Sequence, residues 1–245
     1  MVAFVFTREM GRSKIFSFKQ FDVLNDKTAM KVGTDGVLLG AWCNVAGARH
    51  ILDVGTGCGV IALMVAQRNP DATILGIDID ASGVEEASYN FAHSPWGDRL
   101  QARHIDFNAM VDDAVFDLIV SNPPFFTSGV LPPNQNRLNA RHTCTLTFES
   151  LITGAKKMLS PQGRLALVTP SDLHKDIVEV CTFNSLNINR ITEVVSVMGA
   201  QPKRLLWEIT AAQCELKKDR IIIEDAPGKY NKHYVNLCRD FYLKF

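Results

Sequence analysis

HILDVGTGCGVIALMVAQR, residues 50–68, is the stretch on which the reading of this chain turns. His50–Val54 reads as a short strand, ended by glycines at every second position, Gly55, Gly57 and Gly59. The following VIALMVAQRN has the length and composition of a helix. Glycines between a strand and a helix let a ligand approach backbone where no Cβ stands in the way. A dinucleotide turn, G-x-G-x-x-G/A, needs a small residue at position 60, which is Val. A G-K-[ST] phosphate loop is also absent. The pattern that fits is D-x-G-x-G-x-G, with Asp53 two residues before Gly55. A carboxylate there is awkward beside a pyrophosphate and favourable beside the sulfonium and amino groups of S-adenosylmethionine. A purely structural strand–helix turn is the bland alternative.

Outward from this turn, short apolar runs alternate with helix-like stretches. ATILGI (72–77) reads as a second strand, ASGVEEASYNFAHS as a helix, residues 100–105 as a third strand and 116–120 as a fourth. A helix over 147–158, the strand RLALVT, a helix near 172–184, then ITEVVSVM and LLWEITAAQ complete the series. Such alternation predicts an α/β fold with a mostly parallel sheet covered on both faces. The last two strands have no helix between them, so an antiparallel hairpin closes the sheet. No repeat or linker divides residues 1–245. They read as one domain, with 1–45 as an N-terminal extension over the cofactor and substrate side.

Two more acids fall where strands end. Asp78, 25 residues after Asp53, is placed to accept hydrogen bonds from ribose hydroxyls, with Asp80 competing for that role or capping the next helix. Asp106 ends the third strand and could accept an adenine amino group, with Phe107 as an apolar contact. Open parallel sheets bind ligands along this edge.

The fourth strand runs into SNPPFF, residues 121–126. Adjacent prolines carry no N–H and cannot continue a strand or helix. A turn explains the prolines; Asn122-Pro123-Pro124-Phe125 also matches the [DNS]-P-P-[YFW] motif of methyltransferases acting on planar nitrogens. The lone pair of an exocyclic amine is delocalised into its ring. If the Asn122 side-chain oxygen and the Pro123 carbonyl accept its two N–H bonds, the nitrogen can pyramidalise toward a methyl donor. Phe125 would stack on the base and hold it in line.

Bulk properties suit this reading. The chain has 245 residues, 47 % of them hydrophobic, enough for one substantial core. No signal peptide or apolar run of about 18–20 residues suggests membrane insertion. Six scattered cysteines form no CxxC or Cys/His cluster, which predicts reduced thiols, no metal and a cytoplasmic setting. The zero net charge hides a division: residues 1–31 carry +3, 32–126 carry −8 and 127–245 carry +5. An acidic middle between basic ends suits a cationic cofactor flanked by a polyanion, and equally a solvated surface. The long polar loop 127–146 contains Arg137, Arg141 and His142 and no acid. Arg137 and Arg141 are candidates to grip RNA backbone, or ordinary surface arginines.

With these residues placed, the chain resembles class I S-adenosylmethionine-dependent methyltransferases. KVGTDGVLLGAW (31–42), together with LDVGTGCGVIALMVAQR, SNPPFF and the closing DFYLKF, is similar to the bacterial tRNA1(Val) (adenine-37)-N6-methyltransferase family over essentially its whole length. The resemblance implies a seven-stranded Rossmann-like sheet, S-adenosylmethionine as donor and N6 of an anticodon-loop adenine in tRNA as acceptor. It carries cofactor binding to Asp53, Gly55, Gly57, Asp78 and Asp106, and the target base to Asn122 and Phe125. Lys31 would stand near substrate phosphate; Gly33-Thr34-Asp35-Gly36 is otherwise a turn and helix cap. The rivals are methylation of protein glutamine, methylation of guanine N2 in rRNA, and, from another class, a non-catalytic RNA-binding module on the same fold. An oxidoreductase is disfavoured by Val60 and NPPF, and DNA adenine methylation by the lack of a visible target-recognition domain.

Overall fold

The computed structural model describes residues 14–28, 30–110, 115–124 and 146–244. Its centre is a sheet of β3 (His50–Val54), β4 (Thr73–Asp78), β5 (Leu100–His104), β6 (Phe116–Ser121), β7 (Leu159–Pro170), β8 (Asn187–Val197), β9 (Arg204–Thr210), β10 (Lys217–Ala226) and β11 (Lys229–Tyr230). A separate two-stranded hairpin, β1 (Ile15–Ser17) with β2 (Asp22–Leu24), precedes it. The sheet order is β11-β10-β8-β9-β7-β6-β3-β4-β5. Strands β7, β6, β3, β4 and β5 are mutually parallel, and β9 lies antiparallel between β7 and β8. The α/β class, the mostly parallel sheet and the β8–β9 hairpin agree with the sequence reading.

The strand count differs: nine rather than seven. Strand β10 adds to β8 in parallel, with Ile221 opposite Val194, and β11 folds back on it. This edge escaped the sequence reading because KKDR begins it where an apolar run would be sought. Cross-strand pairs take over from apolar packing there: Arg190 with Asp219 and Arg220 with Glu193. A charged edge also discourages pairing with another chain.

Helices α1 (Thr34–Trp42), α2 (Val60–Arg68), α3 (Ala81–Ala92) and α6 (Lys232–Cys238) supply one face; α4 (Phe148–Met158) and α5 (His174–Phe183) supply the other. Successive strand residues point to opposite faces, so β3 sends Ile51 into the first core and Leu52 and Val54 into the second. Burying each such Leu or Ile contributes about 2 kcal/mol, which is why the central strands read as continuous apolar runs. The buried Trp207 indole donates to Thr169 Oγ1 at 2.9 Å across β9 and β7, so that ring leaves no orphan donor. The ends of the described chain clasp each other: Lys19 N donates to Phe241 O, and Phe18 pairs with Tyr242.

Candidate active site

The parallel arrangement brings the C-terminal ends of β3, β4, β5 and β6 to one edge. After β3 the chain turns through Gly55, Gly57 and Gly59, all at positive φ (71°, 53° and 83°), which explains the alternating glycines. The N–H groups of Gly55 and Thr56 both donate to Ile77 O at 2.9 Å, fastening the turn to β4. Two of these glycines serve different ends. A Cβ on Gly59 would stand 2.4 Å from the Phe91 ring, so that glycine permits α2 and α3 to pack. A Cβ on Gly57 would meet no described atom within 4 Å, so that position faces open space.

Asp53 lies beneath the turn with no exposed surface. Its Oδ2 accepts from Thr56 Oγ1 at 2.8 Å and from Ala62 N, in the first turn of α2, at 3.2 Å. Its Oδ1 is buried with no partner among the described residues. Burial pushes the carboxyl up to about 7; the two hydrogen bonds oppose the shift and the charge of Asp78 adds to it.

Asp78 points at the turn: Oδ2 accepts from Gly57 N at 2.8 Å and Oδ1 from Asp80 N at 2.9 Å. Asp80 accepts from Ser82 N at 3.0 Å and caps α3, the alternative role that the sequence allowed it. Ile79 between them is 44 % exposed, an apolar surface at the strand tip. Asp106 caps the short turn Phe107–Ala109 through Asn108 N at 2.9 Å. The Phe107 ring, however, turns into the core against α4, where a Cβ on Gly154 would meet it at 2.6 Å. That is a correction: Phe107 supports the Asp106 turn from beneath instead of offering a face to a ligand.

Strand β6 delivers the second half. Ser121, fully buried, donates to Val54 O at 2.8 Å and ties the NPPF corner to the residue before the glycine turn. Asn122 follows, with Nδ2 at 3.6 Å from Met30 Sδ and close to Gly36. Its Oδ1 is buried and has no partner among the described residues. Pro123, next in the chain, is buried. Phe125, Arg137 and Arg141 lie outside the described residues.

The 31–36 segment covers this corner. Gly33 occupies the N-cap of α1 with no side-chain cap, so neither Thr34 nor Asp35 caps the helix; Asp35 instead pairs with Arg204 Nε at 2.9 Å. Lys31 requires a second correction. Its ammonium donates to the carbonyls of Asn25, Asp26 and Thr28 at 2.9–3.1 Å, bracing its own loop instead of reaching outward to a phosphate.

Glu86 and Asn90 were missed from sequence. Both are 2 % exposed on α3; Asn90 holds the last residue of β2, Leu24, and Glu86 holds the segment that follows it. The available signal was their position: they share the helix face of Gly83, Ala87 and Phe91, where apolar residues are expected.

The residues gathered here fit a ligand carrying a positive charge and a ribose: a buried, underused carboxylate, a glycine with open space beside it, and acids at or just past the ends of β4 and β5. Among the described residues no group of three or more His, Cys, Asp and Glu could hold a metal. No helix among them is long and apolar enough to cross a membrane.

Residues 33–190 match the family model described as the methyltransferase small domain. The chain is 42 % identical over 229 residues to a tRNA1(Val) (adenine(37)-N6)-methyltransferase from Bacteroides thetaiotaomicron, covering 93 % of this chain and 97 % of the relative. One of the same name from Porphyromonas gingivalis is 46 % identical over 241 residues, with 93 % and 94 % covered. Among solved structures, a predicted O-methyltransferase from Agrobacterium tumefaciens superposes with a TM-score of 0.65 at 19 % identity, covering 84 % of this chain and 96 % of that one. That likeness concerns the fold alone.

Proposed function

The chain belongs to the tRNA1(Val) (adenine(37)-N6)-methyltransferase family, within the methyltransferase small domain group, and from that membership we propose its substrate and the roles of its site residues. The enzyme methylates the exocyclic N6 of adenine 37 in the anticodon loop of tRNA1(Val), in the cytoplasm, with S-adenosylmethionine as donor. Residues 1–245 act as one methyltransferase domain, with 1–45 as an extension over the cofactor and substrate side.

The observation that carries this reading is the buried Asn122 Oδ1, which has no partner among the described residues and is held by the Ser121–Val54 bond one residue from the glycine turn. A buried acceptor without a donor costs about 1–3 kcal/mol, and an amino group presented by a base removes that cost. When bound, the cofactor supplies an electrophilic methyl group on a sulfonium. Gly57 leaves room for it, Asp78 and Asp106 take ribose and adenine, Ile79 gives the purine an apolar face, and Asp53 contributes negative charge from beneath.

Asn122 Oδ1 and the Pro123 carbonyl each accept one N–H of the target amine, so its lone pair rotates out of the ring plane toward the methyl. Phe125 stacks on the base, and the base must first leave the loop's stack, at a cost of a few kcal/mol. The proton leaves the nitrogen only as the nitrogen becomes cationic, so no strong base is needed. Arg137 and Arg141, in the basic stretch of sequence that follows, hold RNA phosphates.

The test is incubation with labelled S-adenosylmethionine and unmodified tRNA1(Val), beside the same RNA carrying guanine at position 37. Label recovered as N6-methyladenosine in the first RNA alone is expected. Label in protein, or as N2-methylguanosine, would overturn the assignment.

A further inference from the structure

The segment from β2 to α1 is fastened over the site by two side chains of α3 that none of the catalytic chemistry requires. The Glu86 carboxylate accepts three successive backbone N–H groups: Asp26 at 2.5 Å, Lys27 at 2.9 Å and Thr28 at 3.1 Å. One helical turn on, Asn90 accepts from Leu24 N at 2.8 Å and donates to Leu24 O at 2.9 Å. Its amide also donates to Cys58 O at 2.8 Å, inside the glycine turn. Asn90 therefore touches the cover and the cofactor turn with one side chain. Beyond the clamp, Met30 meets Asn122, and Gly36 closes on the same amide.

A carboxylate is an expensive group to bury, and this one is matched by three aligned donors from a loop with no regular structure of its own. The arrangement specifies where that loop lies more sharply than apolar packing could. Lys31 completes it from the other side by drawing in the carbonyls of Asn25, Asp26 and Thr28. The loop's N–H groups face Glu86 and its carbonyls face Lys31, so two opposite charges hold it in one shape.

We propose that Glu86 is a positioning residue for methyl transfer, its carboxylate fixing residues 26–28 of the cover so that the cofactor turn and Asn122 are both enclosed. The role rests on the cofactor reading above. It acts on binding more than on the chemical step, because Glu86 touches neither the reacting atoms nor Asn122.

The measurement is S-adenosylhomocysteine affinity by calorimetry, with KM for S-adenosylmethionine and kcat on tRNA, for wild type, Glu86→Gln, Glu86→Ala and Lys31→Met. Gln keeps one acceptor oxygen, the one shared by Asp26 and Lys27, but opposes Thr28 N with an amide N–H. Dissociation constant and KM should rise about 10-fold in Glu86→Gln and further in Glu86→Ala, while kcat at saturation changes less than about threefold, a tenfold step being 1.4 kcal/mol. Lys31→Met should move the same quantities in the same direction by about threefold, without disturbing the core of α3. Should Glu86→Ala not fold, Glu86→Gln and Lys31→Met decide the matter. Variants that melt at lower temperature yet bind S-adenosylhomocysteine like wild type would reduce Glu86 to a structural residue and overturn the inference. Wild-type protein that binds no S-adenosylhomocysteine would instead overturn the cofactor reading.

Discussion

Two buried oxygens without a partner among the described residues mark the two halves of the site, and they differ in kind. Asp53 Oδ1, at the end of β3, belongs to an acid that burial pushes up to about 7. Asn122 Oδ1, just past the end of β6, belongs to a neutral amide. A carboxylate in a low-dielectric site is best complemented by a cation; an amide oxygen asks for an N–H in a given direction and is indifferent to net charge. On the proposed function, the donor half would select by charge and the acceptor half by hydrogen-bond direction. Ser121 holds the two at fixed separation through Val54 O.

The most severe way to break this division is Asn122→Ala. If the amide acts only on the acceptor, kcat should fall about 10²–10³-fold, the cost of losing a preorganised hydrogen-bonding group. Affinity for S-adenosylhomocysteine, read by calorimetry, should stay within about twofold, since uniform binding is untouched. Equal losses in both would show that the halves are not separable.

Asp78→Ala attacks the other side. It removes the acceptor of Gly57 N and Asp80 N, and with it the acid proposed to hold ribose. Hydrogen bonds to a charged acceptor contribute about 1.5–3 kcal/mol each, so cofactor and product affinity should both weaken by about 10²-fold. Turnover at saturating S-adenosylmethionine should change little, and kcat with KM separates the outcomes. A large fall in kcat would place Asp78 in the chemical step and erase the contrast with Asn122.

How much of this was legible in the sequence follows the same division. Gly55, Gly57 and Gly59 announced the turn after β3 because positive φ restricts residue type, and the sequence also placed Asp78 and Asp106 where strands end. Asp78 and Asp80 could not be told apart until the backbone showed which carboxylate faced Gly57. Phe107 misled because aromatic character is the same whether a ring faces a ligand or Gly154. Lys31 misled for a related reason: charge suggests a distant anion, whereas its partners are carbonyls three to six residues away. Glu86 was unreadable as a clamp because the N–H groups it accepts lie 58–60 residues earlier. Strand β10 stayed hidden because its opening KKDR replaces an apolar pattern with ion pairs.

The smallest expected effect tests whether Asp53 contributes charge at all. Its folded value is raised from 3.8 to about 7 chiefly by burial, so the folded protein holds a proton that the unfolded chain has already lost. The sign follows: this group favours folding most below about pH 4, and that contribution is lost as pH rises toward and through about 7. Asp53→Asn should therefore flatten the loss of thermal stability of the ligand-free protein across that window. Binding should respond in the opposite sense. A sulfonium favours the ionised carboxylate, so S-adenosylmethionine should gain affinity relative to uncharged-sulfur S-adenosylhomocysteine as pH passes from 6 to 8. Charges about 10 Å apart at an effective dielectric near 20 interact by roughly 1.5 kcal/mol, which sets the gain at roughly tenfold at most. Calorimetry with both ligands at both pH values reads the ratio directly. A wild-type ratio that does not move with pH, or an Asp53→Asn ratio that moves as much as wild type, would leave direction alone to distinguish the halves, with Asp53 reduced to fastening Thr56 and Ala62.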